Sequence, residues 1–149
     1  MIYNVRADVK EIRNRLVECR VRDHIVMVDQ PEEFEADNTA PNPPEMLAIA
    51  LGSCFVSTIQ FIAMQKNIDA KNIHVTVEGD IDFSKAMGIS DKERAGFKAL
   101  KVGVAFDTNL SPREKNEFIK TVVEYGASID NILNSTPVNV EILDDKVSY

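Results

Sequence analysis

No residue between Met46 and Gln65 carries a charge, and this stretch constrains the fold more than any other part of the sequence. Twenty such residues are long enough to cross a bilayer as a helix. Gly52 and polar residues such as Ser57 and Gln60 interrupt the stretch, and its ends carry neither an aromatic belt nor a basic flank. The pattern therefore predicts the central helix of a globular domain, covered by a sheet or by a partner subunit.

The length of 149 residues fits one domain, which we place over residues 1–149. Acidic residues outnumber basic ones 24 to 17, and the formal charge is −7. This balance argues against nucleic-acid binding and against docking on anionic lipid, because both require basic surfaces. The first residues, as far as Lys10, lack the apolar stretch of a signal peptide, so a cytoplasmic location is expected.

The chain has two cysteines, Cys19 and Cys54, which are too few for a disulfide framework or a multi-cysteine zinc site. His24 and His74 have no cysteine partner at a ligand spacing, and no phosphate-binding glycine loop is present. We therefore expect neither a metal nor another cofactor.

Hydrophobic periodicity predicts an antiparallel meander of three strands, then a loop, the uncharged helix, two strands, a helix, a helical turn and a final strand. The predicted strands are Ile2–Val9, Arg15–Val21, Ile25–Val28, Asn72–Phe83, Phe97–Phe106 and Pro137–Leu143, with charged turns at Lys10–Asn14 and Arg22–Asp23. The loop covers Pro31–Pro44, and Ser111 with Glu114 forms a capping box for the second helix. This order predicts an α+β fold.

Cys54 lies inside the predicted central helix, where a thiol is either a small buried hydrophobe or a reactive group. Glu45 stands nine residues earlier, which places the two side chains half a turn out of phase on one straight helix. A carboxylate in the first turn also favours the helix dipole, which is the simpler explanation of Glu45. Cys19 alternates with charged neighbours in a strand and is predicted to be structural.

Three stretches together resemble the OsmC/Ohr family, the osmotically inducible protein C and organic hydroperoxide resistance proteins. They are Arg22–Pro31 (RDHIVMVDQP), Asn42–Cys54 (NPPEMLAIALGSC) and Val75–Phe83 (VTVEGDIDF). The resemblance implies an OsmC-like α+β fold in which antiparallel sheets wrap around long central helices of an intertwined homodimer.

The resemblance also implies a thiol peroxidase in which Cys54 attacks an organic hydroperoxide and becomes a sulfenic acid. In the family a second cysteine resolves this acid, an external thiol reductant completes the cycle, and an arginine paired with a glutamate activates the thiolate. On this basis Cys54, Glu45 and Arg22 are the candidate catalytic residues.

The sequence departs from the family pattern at two places. Gly126 occupies the position of the resolving cysteine, and the loop Glu32–Asn42 has no arginine, so Arg22 and Arg20 are the nearest substitutes. Two functions follow. The first is a peroxidase, either of one-cysteine type or resolved by an external thiol. The second is a catalytically degenerate module that binds a small apolar ligand.

Overall fold

The computed structural model describes residues 1–143, and the chain divides into two compact units. The first contains Met1–Met46 and the C-terminal segment from Pro137, and the second contains Leu47–Thr136. The helix that follows the first sheet begins in one unit and continues into the other.

The first unit carries a three-stranded antiparallel sheet. Its strands are β1 (Asp8–Arg13), β2 (Leu16–Val21) and β3 (His24–Val28), in the order β1-β2-β3. The predicted meander is therefore confirmed, but its first strand was misplaced. Residues 2–7 are not a strand, and most of the predicted turn Lys10–Asn14 is β1. The turn is only Asn14 and Arg15, both at positive φ, and such a two-residue turn fixes the register of the hairpin.

A loop with a short 3-10 turn at Glu32–Phe34 leads to the first helix. The buried carboxylate of Asp29 fixes this loop, because it accepts hydrogen bonds from the backbone N–H and the hydroxyl of Thr39 at 2.8 and 2.7 Å. The same two donors lower the pKa of Asp29. Helix α1 (Pro43–Lys66) then begins at the proline pair that ends the predicted loop, since proline fits the first turn of a helix.

The second unit contains α1 from Leu47 onward and four further elements. They are β4 (Lys71–Ile81), β5 (Phe97–Asp107), α2 (Pro112–Tyr125) and α3 (Ala127–Leu133). β4 and β5 pair as an antiparallel ribbon whose register shifts between Gly79 and Ile81, as at a β-bulge. The capping box of Ser111 and Glu114 is confirmed at the start of α2.

The hydrophobic core lies in the second unit, where α1 packs on the sheet. The buried core residues are Leu51, Phe55, Ile59, Ile62, Ala63, Phe106, Phe118, Val122 and Ile129. Gly52 allows the helix to approach β4 closely, since a Cβ at that position would lie 3.3 Å from Val77 Cγ2. By length and composition alone α1 could cross a membrane, but its buried face makes it the core helix of this unit.

The predicted final strand Pro137–Leu143 is wrong, because these residues form no strand. Val138, Val140 and Ile142 retain the alternation of a strand but are 79%, 90% and 94% exposed. Alternation alone does not produce a strand, since the backbone N–H and C=O groups need a neighbouring strand with which to pair. The tail that was predicted to fray, residues 144–149, lies outside the described residues.

Truncating the core should cost far more stability than truncating a surface side chain of the same type. Ile59 is fully buried, so Ile59→Ala should lower the free energy of unfolding by about 2–5 kcal/mol. Ile89 is 70% exposed in a loop, and Ile89→Ala should change it by less than about 0.5 kcal/mol. Urea denaturation followed by circular dichroism measures both, and equal losses would contradict the assignment of the core.

Candidate functional site

Cys54 lies three turns into α1, at the border between the buried core and an open cleft. Its side chain packs against the hydrophobic core of the second unit, yet the residue is only partly buried. The sulfur is therefore in contact with apolar neighbours on one side and accessible on the other. This position differs from that of an inert core cysteine, which is enclosed on all sides.

Hydrogen-bond donors surround the sulfur of Cys54. Thr58 Oγ1 lies 3.8 Å from Cys54 Sγ, one helical turn along α1. The backbone N–H groups of Ile129 and Ser128 and the Ser128 hydroxyl favour the thiolate form of this sulfur. These N–H groups lie in the first turn of α3, where backbone donors have no partner within the helix.

These donors determine how readily the thiol ionises. Burial disfavours the charged thiolate and by itself would raise the pKa of Cys54. The N–H groups of Ile129 and Ser128, followed by the two hydroxyls, outweigh burial, so the pKa lies below its ordinary value. A larger thiolate fraction at neutral pH makes a cysteine a better nucleophile.

The sulfur opens into a cleft of about 780 Å³ between α1 and the α2–α3 corner. Its α1 wall includes Cys54, Thr58, Phe61, Ile62 and Lys66, and its other wall includes Thr121, Glu124, Tyr125 and Ala127. A cleft of this size with a mainly apolar lining and a few polar groups is typical of a small-molecule site.

The other two predicted catalytic residues lie in the first unit. Glu45 Oε2 accepts a hydrogen bond from the backbone N–H of Asn42 at 2.7 Å, and Asn42 Oδ1 accepts one from the N–H of Glu45 at 2.9 Å. This reciprocal pair caps α1, and Glu45 lies in the first turn of the helix. Arg22 is exposed in the turn between β2 and β3 at a φ of 53°. The alternative Arg20 bonds Glu18 at 2.7 Å.

Gly126, the position of the missing resolving cysteine, is the residue immediately before α3. It lies two residues before Ser128, whose N–H reaches Cys54, so this segment is adjacent to the thiol. A Cβ at Gly126 would collide with Ile129, reaching 2.9 Å from its Cγ1. Cys19 instead lies in the sheet of the first unit, paired with Val9 and Val26.

Sequence reasoning missed the donors of the site. Thr58 could have been found, because a residue four positions after Cys54 lies on the same face of a helix. Ser128 and Ile129 could not, since they lie far along the chain and contribute mainly backbone N–H groups, which every residue carries.

Comparison with known proteins supports one family. The family model described as OsmC-like protein matches residues 36–142. A search of curated protein sequences returned no significant match.

Solved structures with the same fold cover most of the chain. An OsmC-like protein from Mycoplasma pneumoniae aligns with a TM-score of 0.78 at 15% identity, over 91% of each chain. An organic hydroperoxide resistance protein OsmC from Legionella pneumophila aligns at 0.63 and 21% identity, over 89% of this chain and 90% of that one. A putative organic hydroperoxide resistance protein from Vibrio cholerae, with captopril bound in one of its active sites, aligns at 0.64 and 21%, over 91% and 88%. At these identities the likeness establishes the fold.

Removing the hydroxyl of Thr58 should make Cys54 harder to ionise. In a Cys19→Ser background, which leaves one thiol, Thr58→Val keeps the side-chain shape and should raise the pKa of Cys54, because the thiolate loses a donor. The pH dependence of the reaction with iodoacetamide measures this pKa.

Thr121→Val is the matched control. Thr121 lines the same cleft, but its hydroxyl donates to the backbone carbonyl of Glu117 instead of the sulfur. An equal change in both variants, or a lower pKa in Thr58→Val, would show that the Thr58 hydroxyl does not stabilise the thiolate.

Proposed function

Since this chain belongs to the OsmC-like protein family, we propose that it is a thiol-dependent, peroxiredoxin-like enzyme that reduces organic hydroperoxides through Cys54. The observation that carries the proposal is the set of donors around Cys54 Sγ at the mouth of an apolar cleft. A nucleophilic thiol needs such donors, and a hydroperoxide with an organic substituent needs such a cleft. We propose that residues 1–149 act as one OsmC-like domain.

The first step oxidises the thiol and reduces the peroxide by two electrons. The Cys54 thiolate attacks the distal oxygen of the hydroperoxide, an S–O bond forms, and the O–O bond breaks. The leaving alkoxide takes up a proton and departs as the alcohol, and Cys54 becomes a sulfenic acid.

The second step needs an external thiol. Both cysteines are free, Cys19 lies in the other unit, and Gly126 stands where the family has its resolving cysteine. We therefore propose that a dithiol reductant attacks the sulfenic sulfur, releasing water and forming a mixed disulfide. Its second thiol then displaces the Cys54 thiolate and leaves as the oxidised disulfide.

Arg22 and Glu45 remain the proposed counterparts of the family's activating pair. The α3 N–H groups supply stabilisation that does not depend on an arginine, which fits a chain whose loop Glu32–Asn42 has none. In this proposal the N–H groups of α3 and the hydroxyl of Thr58 stabilise the thiolate.

We also propose that the protein is a cytoplasmic homodimer. Val9, Cys19 and Val26 lie side by side across the first sheet, and Val9 and Val26 remain 63% and 41% exposed. The outward face of α1 is uncharged and also open to solvent, through Ser53, Gln60 and Met64. A second copy of the chain would cover surfaces that the monomer leaves uncovered.

The absence of a cysteine at Gly126 also favours the alternative of a catalytically degenerate protein that binds a small apolar ligand. The same cleft serves both functions, so the reactivity of Cys54 distinguishes them. A thiol with a raised pKa and no reaction with peroxide would support the binding function.

Removing the Cys54 sulfur should abolish peroxidase activity if the enzyme proposal is correct. Cys54→Ser should reduce the consumption of cumene hydroperoxide with dithiothreitol to the uncatalysed rate, since a serine hydroxyl does not ionise at neutral pH. Cys19→Ser is the matched control and should retain activity. Equal activity in Cys54→Ser and the parent protein would overturn the enzyme proposal.

Placing a charge on the outward face of α1 should weaken the dimer. Gln60→Glu changes an exposed amide to a carboxylate of the same shape, and burying that charge between subunits is unfavourable. Light scattering after gel filtration should show a dimer for the parent protein and a concentration-dependent monomer for the variant.

Asn116→Asp makes the same chemical change on an exposed position of α2 and should remain dimeric. A folded monomer of the parent protein at low concentration would contradict the dimer.

A further inference from the structure

A second groove of this unit lies between β5 and α2 and has a volume of about 810 Å³. It shares no lining residue with the cleft at Cys54, so the two are separate features. Val102 and Val104, which point to the same face of β5, form its floor together with Ile119 of α2. All three side chains are only partly buried, so the floor of this β5–α2 groove leaves apolar surface open to solvent.

The rim of the β5–α2 groove is basic, although the chain as a whole has a net charge of −7. Arg113, Lys115 and Lys120 line the groove, and Glu117 is the single acidic residue among the described residues that line it. Opposite charges attract most strongly where like charges are concentrated at one place on the surface. The rim therefore favours an anionic occupant, and the floor favours one that also carries an apolar group.

The three cations differ in how far other groups already bind them. Lys115 Nζ donates to the backbone carbonyl of Phe106 at 3.0 Å and lies 4.2 Å from the centre of its ring. Lys120 Nζ lies 3.0 Å from Glu117 Oε1 in an exposed ion pair. Arg113 is exposed and forms no ion pair within residues 1–143, so its guanidinium group is available to a ligand.

The edge of β5 favours an extended peptide as the occupant. Among the described residues β5 pairs with β4 alone, and no residue of β4 lines the groove, so the groove lies beside the unpaired edge of β5. Backbone N–H and C=O groups along such an edge can pair with an added peptide strand. Lys115 already bonds the carbonyl of Phe106, so the available part of the edge lies before this residue, beside Val102 and Val104.

The spacing of the cations fits alternate side chains of an extended peptide. Arg113 and Lys120 are seven residues apart on α2, which corresponds to roughly 10.5 Å along the helix. An acidic, an apolar and a second acidic residue on one face of a strand span roughly 14 Å. Arginine and lysine side chains are long enough to make up this difference. The apolar residue would then lie over the floor of the groove.

We propose that the β5–α2 groove binds an extended acidic peptide of a partner protein. Two acidic residues on one face of the peptide bind Arg113 and Lys120, and the apolar residue between them packs on the groove floor. This interaction is separate from the proposed peroxidase function, because the groove does not include Cys54.

Fluorescence polarisation of the full chain with two blocked, fluorescein-labelled peptides tests the proposal. The acidic probe has the sequence TDTVTDT, and the neutral probe replaces both aspartates with asparagines of the same shape. The parent protein should bind the acidic probe about two- to tenfold more tightly, as expected for two exposed ion pairs, and the difference should shrink at high salt. Without the basic groove, a chain of net charge −7 should prefer the neutral probe.

Four exposed residues provide the variants. Arg113→Gln and Lys120→Gln should each reduce the preference for the acidic probe, and Glu117→Gln should increase it. Lys101→Gln is the matched control and should leave the preference unchanged, since it removes a cation from an exposed position of β5 that does not line the groove. Unchanged thermal unfolding of each variant confirms that the fold is intact.

Equal affinities for the two probes in the parent protein, an unchanged preference in both Arg113→Gln and Lys120→Gln, or no binding of the acidic probe would each overturn the inference. A dimer that light scattering shows to dissociate in Arg113→Glu would also overturn it, because a second copy of the chain would then cover the groove. The peroxidase function is tested independently by Cys54→Ser, whose outcome does not depend on either probe.

Discussion

The packing of α1 against β4 is the contact on which the rest of the structure depends. Gly52 brings the helix within van der Waals distance of Val77, and Leu51, Phe55 and Ile59 are buried by this approach. Between Met46 and Gln65 this helix is uncharged on every side, but it can bury only one side against a single two-stranded sheet. The corner of α2 and α3 covers part of its remaining surface, and the proposed homodimer would cover more.

The same packing sets the chemistry of Cys54. A thiol turned fully into the core would stay protonated, and one turned fully into water would gain little from protein dipoles. At the border, burial raises the pKa of Cys54 and the N–H groups at the start of α3 lower it. The N–H groups have the larger combined effect, so the pKa lies below its ordinary value. The same sulfur lines the cleft between α1 and the α2–α3 corner.

The sequence departs from the family pattern at two places: Gly126 stands at the position of the resolving cysteine, and the loop Glu32–Asn42 has no arginine. Gly126 packs closely against the side chain of Ile129, and it carries no sulfur. The N–H groups and hydroxyls stabilise the Cys54 thiolate without an arginine, which is compatible with the absence of arginine from the loop Glu32–Asn42. In the proposed reaction, the reactivity of Cys54 and its recycling are separable, because the donors belong to the helices and the proposed reductant is an external dithiol.

Local patterns in the sequence determined the central helix, the alternating faces of β4, the capping box at Ser111 and the candidate thiol, since each depends on neighbours within a few residues. The start of β1 and the state of Pro137–Leu143 were not predictable, because pairing between strands decides them. Only the tertiary structure brought Ser128 and Ile129 to Cys54. Their contribution is made mostly by backbone groups that look the same in every sequence, and folding alone determines where those groups point.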